Sequence, residues 1–206
     1  GTPVPAVIVT DYQALKRMCE KKTDLPILAI DTDGMELYDK GEEKAYLALF
    51  TAFAKEKYEV CKEKVGILGM TPQDVSDLKA ADKVREELKK EGKEAICYGM
   101  GDGLEAVERA SEVVKNIVGS AAALEAAKYL EKTFGTPYEI GYPAAGELVP
   151  NLDYQGKKIL VVHQQVVAEA IRQEILKREN LAEVQTATWF MRKKGLACPQ
   201  DVSLRE

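Results

Sequence analysis

The feature that most constrains this chain is a set of short runs, apolar on both faces, spaced between longer helical patterns. KVGILGM (Lys64–Met70) and KILVVH (Lys158–His163) have no polar alternation, as strands covered by helices on both sides require. Such units recur roughly every 20–30 residues, the spacing of strand–helix–strand crossovers. The class this implies is α/β, with Rossmann-like parallel sheets flanked by helices. Further strands are expected at Val4–Thr10, Leu25–Asp31, Glu94–Tyr98, Lys115–Val118, Tyr138–Gly141 and Glu183–Thr188. Helices are expected from Asp11, as a capping residue, to Lys22, and over Glu42–Lys57, Lys79–Glu91, Leu104–Ala110, Ala121–Phe134 and Val166–Lys177. Pro143–Gly156 reads as a connector.

Composition narrows the function classes. Hydrophobic residues make up 46% of the 206, enough for a sizeable core. A net charge of −5 argues against a nucleic-acid surface, and no apolar run approaches the ~20 residues of a membrane span. Cys19, Cys61, Cys97 and Cys198 lie far apart, and His163 is the single histidine, so no zinc spacing exists. Scattered cysteines without a signal pattern fit a reducing, cytoplasmic setting. There is no GxSxG elbow, and any catalytic triad would have to run through His163.

In parallel α/β sheets ligands sit beyond the C-terminal strand ends. The loops that matter are therefore 31–40, 69–77, 99–103, 119–121 and 163–165. YGMGDG (Tyr98–Gly103) follows a strand and precedes a helix, where a phosphate loop belongs. Gly99-x-Gly101 begins a dinucleotide fingerprint, but its third glycine falls at Leu104, and there is no GxxxxGK[ST]. Turn geometry explains Gly99, Gly101 and Gly103 without any phosphate and is the preferred reading of the loop by itself. Asp31-Thr32-Asp33-Gly34 offers magnesium two carboxylates, or simply makes a turn. Ser120 opens a helix as an N-cap whose free amides also suit an anion. His163 ends a strand, either as a ligand or as a packed histidine. Cys61 and Cys97 read as small buried hydrophobes.

The stretch Lys64–Pro143 resembles the middle domain of the nitrogenase component 1 family. The resemblance runs through KVGILGM, the helix leading into EGKE (Glu91–Glu94), the glycine loop YGMGDG, the strand KNIVG (Lys115–Gly119) and the turn GTPY (Gly135–Tyr138). Upstream, LAIDTDGMELYDKGEEKAYLAL is similar to the family's strand, turn and helix. Downstream, YQGKKILVVHQQVVAEAIRQEIL is similar to the opening of its third domain.

This resemblance implies three parts. Residues 1–63 would be the C-terminal part of a first α/β domain, 64–143 a central Rossmann-like domain, and 144–206 a connector and the start of a third. It implies a piece of a longer oxidoreductase subunit or cofactor-assembly homologue. That parent would line a metallocluster or tetrapyrrole-like site, and pair with a like or related subunit. A separate P-loop, ATP-dependent iron–sulfur reductase would supply its electrons. An iron–sulfur or related cluster would belong to the full-length parent, with none held by this chain alone. Thr71, Gly99, Gly101, Asp102, Gly103, Gly119, Ser120 and His163 are the residues expected to face the site.

Ser120 falls where the catalytic molybdenum–iron subunit of that family carries a cofactor-ligating cysteine. A hydroxyl is a poor ligand for a cluster beside a thiolate. The alternative is therefore a non-catalytic module with a Rossmann-like frame, binding a small ligand or serving as a scaffold. A plain nucleotide-dependent dehydrogenase ranks third, because the glycine fingerprint is broken.

Overall fold

The computed structural model describes residues 8–32, 34–178 and 183–196, and the backbone of 201–203. β1 (Cys61–Leu68), β2 (Glu94–Cys97), β3 (Val113–Val118) and β4 (Tyr138–Ile140) form a wholly parallel sheet in the order β2-β1-β3-β4. The chain winds one way from β1 to β2, then crosses to the other side for β3. That reversal opens a crevice between the C-terminal ends of β1 and β3, where this fold class holds ligands. A second parallel sheet, in the order β5-β6-β7, comprises β5 (Lys158–Val162), β6 (Glu183–Thr188) and β7 (Asp201–Ser203).

The helices are α1 (Tyr12–Glu20), α2 (Tyr38–Phe53), α3 (Pro72–Val75), α4 (Ala80–Lys90), α5 (Leu104–Glu108), α6 (Leu124–Phe134), α7 (Ala145–Leu148) and α8 (Gln165–Arg178). Alternate residues of β1 serve opposite faces of the first sheet. Val65 and Ile67 pack with Val84 and Leu88 of α4, while Leu68 packs with Phe50 of α2 and Leu130 of α6. The first sheet is thus covered by helices on both faces, as the doubly apolar run of β1 predicts; β5 is not, and Leu160, 56% exposed, and Val162, 37% exposed, lie on its uncovered face. Ile171 of α8 touches both the first core and the one beneath the second sheet, so a single helix joins the two. The connector is itself packed: Ala144, Ala145 and Val149 are buried, and Arg178 donates to the carbonyls of Gly146 and Val149.

Local chemistry explains the element ends. Asp11 accepts from the Ala14 amide at 2.9 Å and starts α1 as expected. α6 stops at Gly135, whose φ of +79° a side chain would resist. Two expected strands are not found among the described residues. Of Val4–Thr10, residues 4–7 lie outside the described set, and Ile8 and Val9 form an exposed turn. Leu25–Asp31 is irregular, with Leu25 72% exposed. An apolar run becomes a strand only beside a neighbour that completes its ladder, and Pro26 contributes no amide to one. Among the described residues no helix is long and apolar enough to cross a membrane.

Gly66 is required by packing. It lies opposite Asn116 and Ile96 in the sheet, and a Cβ there would come within 2.1 Å of Asn116 Oδ1 and 2.8 Å of the Tyr98 ring. Gly66→Ala is expected to destabilise the fold by about 1–3 kcal/mol in urea denaturation, the cost of overpacking a dense core. A loss below about 0.5 kcal/mol, the level of a neutral surface change, would show that Asn116 yields freely.

Candidate functional site

The crevice is built where β1 ends. Gly69, with a φ of +76°, turns the chain so closely past β3 that a Cβ would meet Ser120 Oγ at 2.4 Å. Thr71 then caps α3 in a reciprocal box with Asp74. The N-terminal half of α2 lies across these strand ends. Tyr46 from α2 donates to the Tyr98 carbonyl at 3.2 Å and accepts from the Gly69 amide at 3.3 Å, tying the helix to the tips of β1 and β2. A cavity of about 930 Å³ opens here, between the 30–37 segment, α2 and the start of α3. Glu42, Tyr38, Ala45 and Thr71 line it, with Ile30, Leu37 and Pro72 supplying apolar wall.

Three carboxyls converge behind that wall. Asp74 accepts from Tyr38 Oη at 3.1 Å, from Thr71 Oγ1 at 3.0 Å and from the Thr71 amide at 3.3 Å. Glu42 buries both carboxyl oxygens beside Asp74 and Thr71. Burial, followed by Asp74, pushes Glu42 from the ordinary 4.5 up to about 9, so it keeps its proton at neutral pH. Asp39, 4% exposed, accepts from the Met191 amide through Oδ2, while its Oδ1 is buried without a hydrogen-bond partner. Burial raises its pKa too, opposed foremost by that amide. Burial, then Asp74, raises the Tyr38 phenol as well.

Four of the sequence-predicted residues gather at the crevice or its border: Thr71, Gly119, Ser120 and His163. Gly119 accepts from the buried Gln164 side chain, which also caps the start of α8 by accepting from the Val166 amide. His163 is half-buried; burial lowers its pKa and the charge of Asp74 opposes that shift. Ser120 holds the N-cap position of the Ala121–Ala123 turn, but its hydroxyl makes no capping bond and is buried unpartnered. It is turned towards Gly69 instead.

The glycine loop does different work. Asp102 accepts from the Cys97 amide and from Arg85 at 2.9 Å, locking the loop to α4. Gly101 backs onto the Arg85 guanidinium and Gly103 starts α5; only Gly99 approaches the crevice, against Tyr46. Of the proposed magnesium pair, Asp33 lies outside the described residues.

An iron–sulfur cluster needs thiolates. Cys61 begins β1, at the opposite end of the sheet from the crevice. Cys97 is buried with the α4-side core, and its thiol is pushed up to about 11, chiefly by burial. Cys19 is exposed on α1, and Cys198 lies outside the described residues. The described cysteines therefore do not fit a cluster at this crevice. Among the described residues no three His, Cys, Asp or Glu side chains form a metal site.

Sequence reasoning missed Tyr38, Asp39, Glu42, Tyr46, Asp74 and Gln164. The signal was available in two places. Positions 39, 42, 46 and 50 share one helical stripe, which carries two carboxyls into the buried face of Tyr46 and Phe50. Thr71-x-x-Asp74 is a capping-box spacing. No protein-family model matches the chain, and no curated protein matches its sequence.

Glu42 gives the site a pH signature. The folded chain holds a proton that the unfolded chain releases near 4.5, and keeps it to about 9. Between those limits the folded state binds more protons, so this group lowers stability as pH rises. Glu42→Gln removes the effect while keeping the shape of the protonated acid. The variant is expected to melt with wild type near about pH 5 and several degrees above it near about pH 8. Parallel melting curves across that range would show that Glu42 titrates normally.

Proposed function

We propose that this chain is a small-ligand-binding module, with the cavity beyond β1, between the 30–37 segment, α2 and the start of α3, as its binding site. The observation that carries the reading is the cavity of about 930 Å³ itself, whose lining mixes polar side chains with apolar wall. That is the combination by which pockets hold and orient small molecules. Thr32 and Gln73 bring polar side chains to the lining, while Ile30, Leu37, Ala45 and Pro72 supply apolar wall.

The resemblance of Lys64–Pro143 to nitrogenase component 1 proteins supports the same placement in a longer parent. There the crevice would form part of the wall around a metallocluster or tetrapyrrole-like group reduced by a separate ATP-dependent iron–sulfur protein. The binding reading takes precedence for this chain because it brings oxygen donors and carboxyls to the crevice, and a hydroxyl at Ser120, with no described cysteine in reach.

Ligand-observed NMR with a panel of small aromatic compounds of positive, zero and negative charge tests the reading. Ala45→Phe fills the cavity from the exposed side of α2 and serves as the control. Compounds of at least one charge class are expected to bind wild type and to lose about tenfold or more in affinity to the variant, the cost of displacing a bound group from its pocket. A panel that never binds, or that binds both proteins alike, would falsify the crevice as the site.

A further inference from the structure

We infer that the ligand of this cavity is an uncharged molecule: a flat apolar body carrying a group that both donates and accepts hydrogen bonds, of which a primary amide is the simplest. The inference rests on the cavity being a binding site, and it assigns the chemistry of what enters.

The charges around the cavity lead there first. Glu36 and Glu42 are the carboxyls among the side chains that line it. Glu36 is held by Lys44 at 2.8 Å, so each charge of that pair already has its partner. Both Glu42 oxygens are buried, beyond the reach of anything in the cavity. An entering cation would shed its water and meet no free carboxylate. An entering anion would come up against Glu36, with Lys44 already paired. Either ion loses hydration with no opposite charge to offset the cost.

The remaining polar groups lead to the same class. Tyr38 and Thr71 commit their hydroxyls to Asp74, at 3.1 and 3.0 Å. The Thr32 hydroxyl and the Gln73 carboxamide also line the cavity, on a half-buried and an exposed residue. Neither side chain has a hydrogen-bond partner among the described residues. A hydroxyl and a carboxamide each donate and accept, and neither carries charge. Their match is a neutral group with both capacities.

Tyr38 supplies the flat surface. Its hydroxyl is fixed by Asp74, and Phe190 meets its ring edge-on at 5.6 Å, so the ring is held in place before a ligand arrives. Ile30, Leu37, Ala45 and Pro72 add apolar wall.

The test is calorimetric titration of the full chain with benzamide, benzoate and benzamidine. The three share one shape and are neutral, negative and positive at neutral pH. Benzamide is expected to bind about tenfold or more tightly than either ion. Its affinity should stay within about twofold between about 50 and 500 mM salt, since a neutral ligand offers no ion pair to screen. Thr32→Val and Gln73→Met each remove a hydrogen-bonding group at nearly constant size. Each is expected to weaken benzamide by about three- to tenfold, the worth of one neutral hydrogen bond.

Benzoate or benzamidine binding as tightly as benzamide, and lost in Ala45→Phe, overturns the neutral ligand while leaving the binding site standing. Benzamide binding that neither Thr32→Val nor Gln73→Met weakens overturns the assignment of its polar contacts, and with it the proposal. No benzamide binding at millimolar concentration overturns the proposal outright, and the mixed-charge panel then decides the site. Should either variant fail to fold, the ranking of the three compounds on wild type still decides the outcome.

Discussion

The close pairing of β1 with β3 is the contact on which the rest of the molecule depends. It joins two strands whose connections leave in opposite directions, so their C-terminal ends cannot both be roofed by the same crossover. Gly66 admits Asn116 at mid-strand, and Gly69 and Gly119 let the two tips pass almost in contact. A side chain at Gly69 would meet the Ser120 backbone and hydroxyl. The strands must therefore diverge in direction just beyond this point, Thr71 into α3 and Ser120 into the turn before α6. The crevice is a geometric product of tight packing beneath it.

What covers that crevice comes from both sides of the central sheet. α2 precedes β1 in the chain and lies over the strand tips, pinned by Tyr46. From the other direction, β5 delivers His163 and Gln164, and the segment after β6 brings the Met191 amide to Asp39 and Lys193 to Glu43. Gln165 ties that segment back to α8 by accepting from the Lys193 amide at 3.0 Å. The acid cluster is therefore held by elements more than a hundred residues apart, and its geometry exists only when both sheets are in place.

That separation explains what the sequence could and could not reveal. Strands of the central sheet were legible because they are apolar on both faces, a pattern set by local composition. Leu25–Asp31 has the same local composition and is not a strand, since pairing partners are a property of the fold. Near the crevice, the placement of Thr71, Gly119, Ser120 and His163 at strand ends was legible, and of the four Thr71 lines the cavity. Glu42 and Asp39 were not, because a carboxyl on a helix is by default solvated, and only the depth of α2 against the strand tips makes these two buried. In the sequence Ala45, Leu49, Ala52 and Phe53 also form an apolar stripe on α2, whereas the buried line runs through Tyr46 and Phe50. Asp102 erred in the other sense. A glycine loop after a strand suggests a ligand, yet its carboxylate closes the loop onto Arg85 and the Cys97 amide.

A buried carboxyl that must carry a proton is poor material for stability. Replacing buried ionisable groups with apolar ones of similar shape is often neutral or stabilising. Asp39, Glu42 and Asp74 are nevertheless placed together, beside the cavity between α2 and the start of α3. Positions where a chain breaks the ordinary rules of burial without a structural return are where function is to be sought. Asp74 has such a return, since it caps α3 through Thr71. Glu42 has none: it lies in the interior of α2, where an alanine or leucine would serve the helix better. The asymmetry makes Asp74 the structural partner, fixed by three donors, and leaves Glu42 as the carboxyl whose burial no fold-making bond offsets.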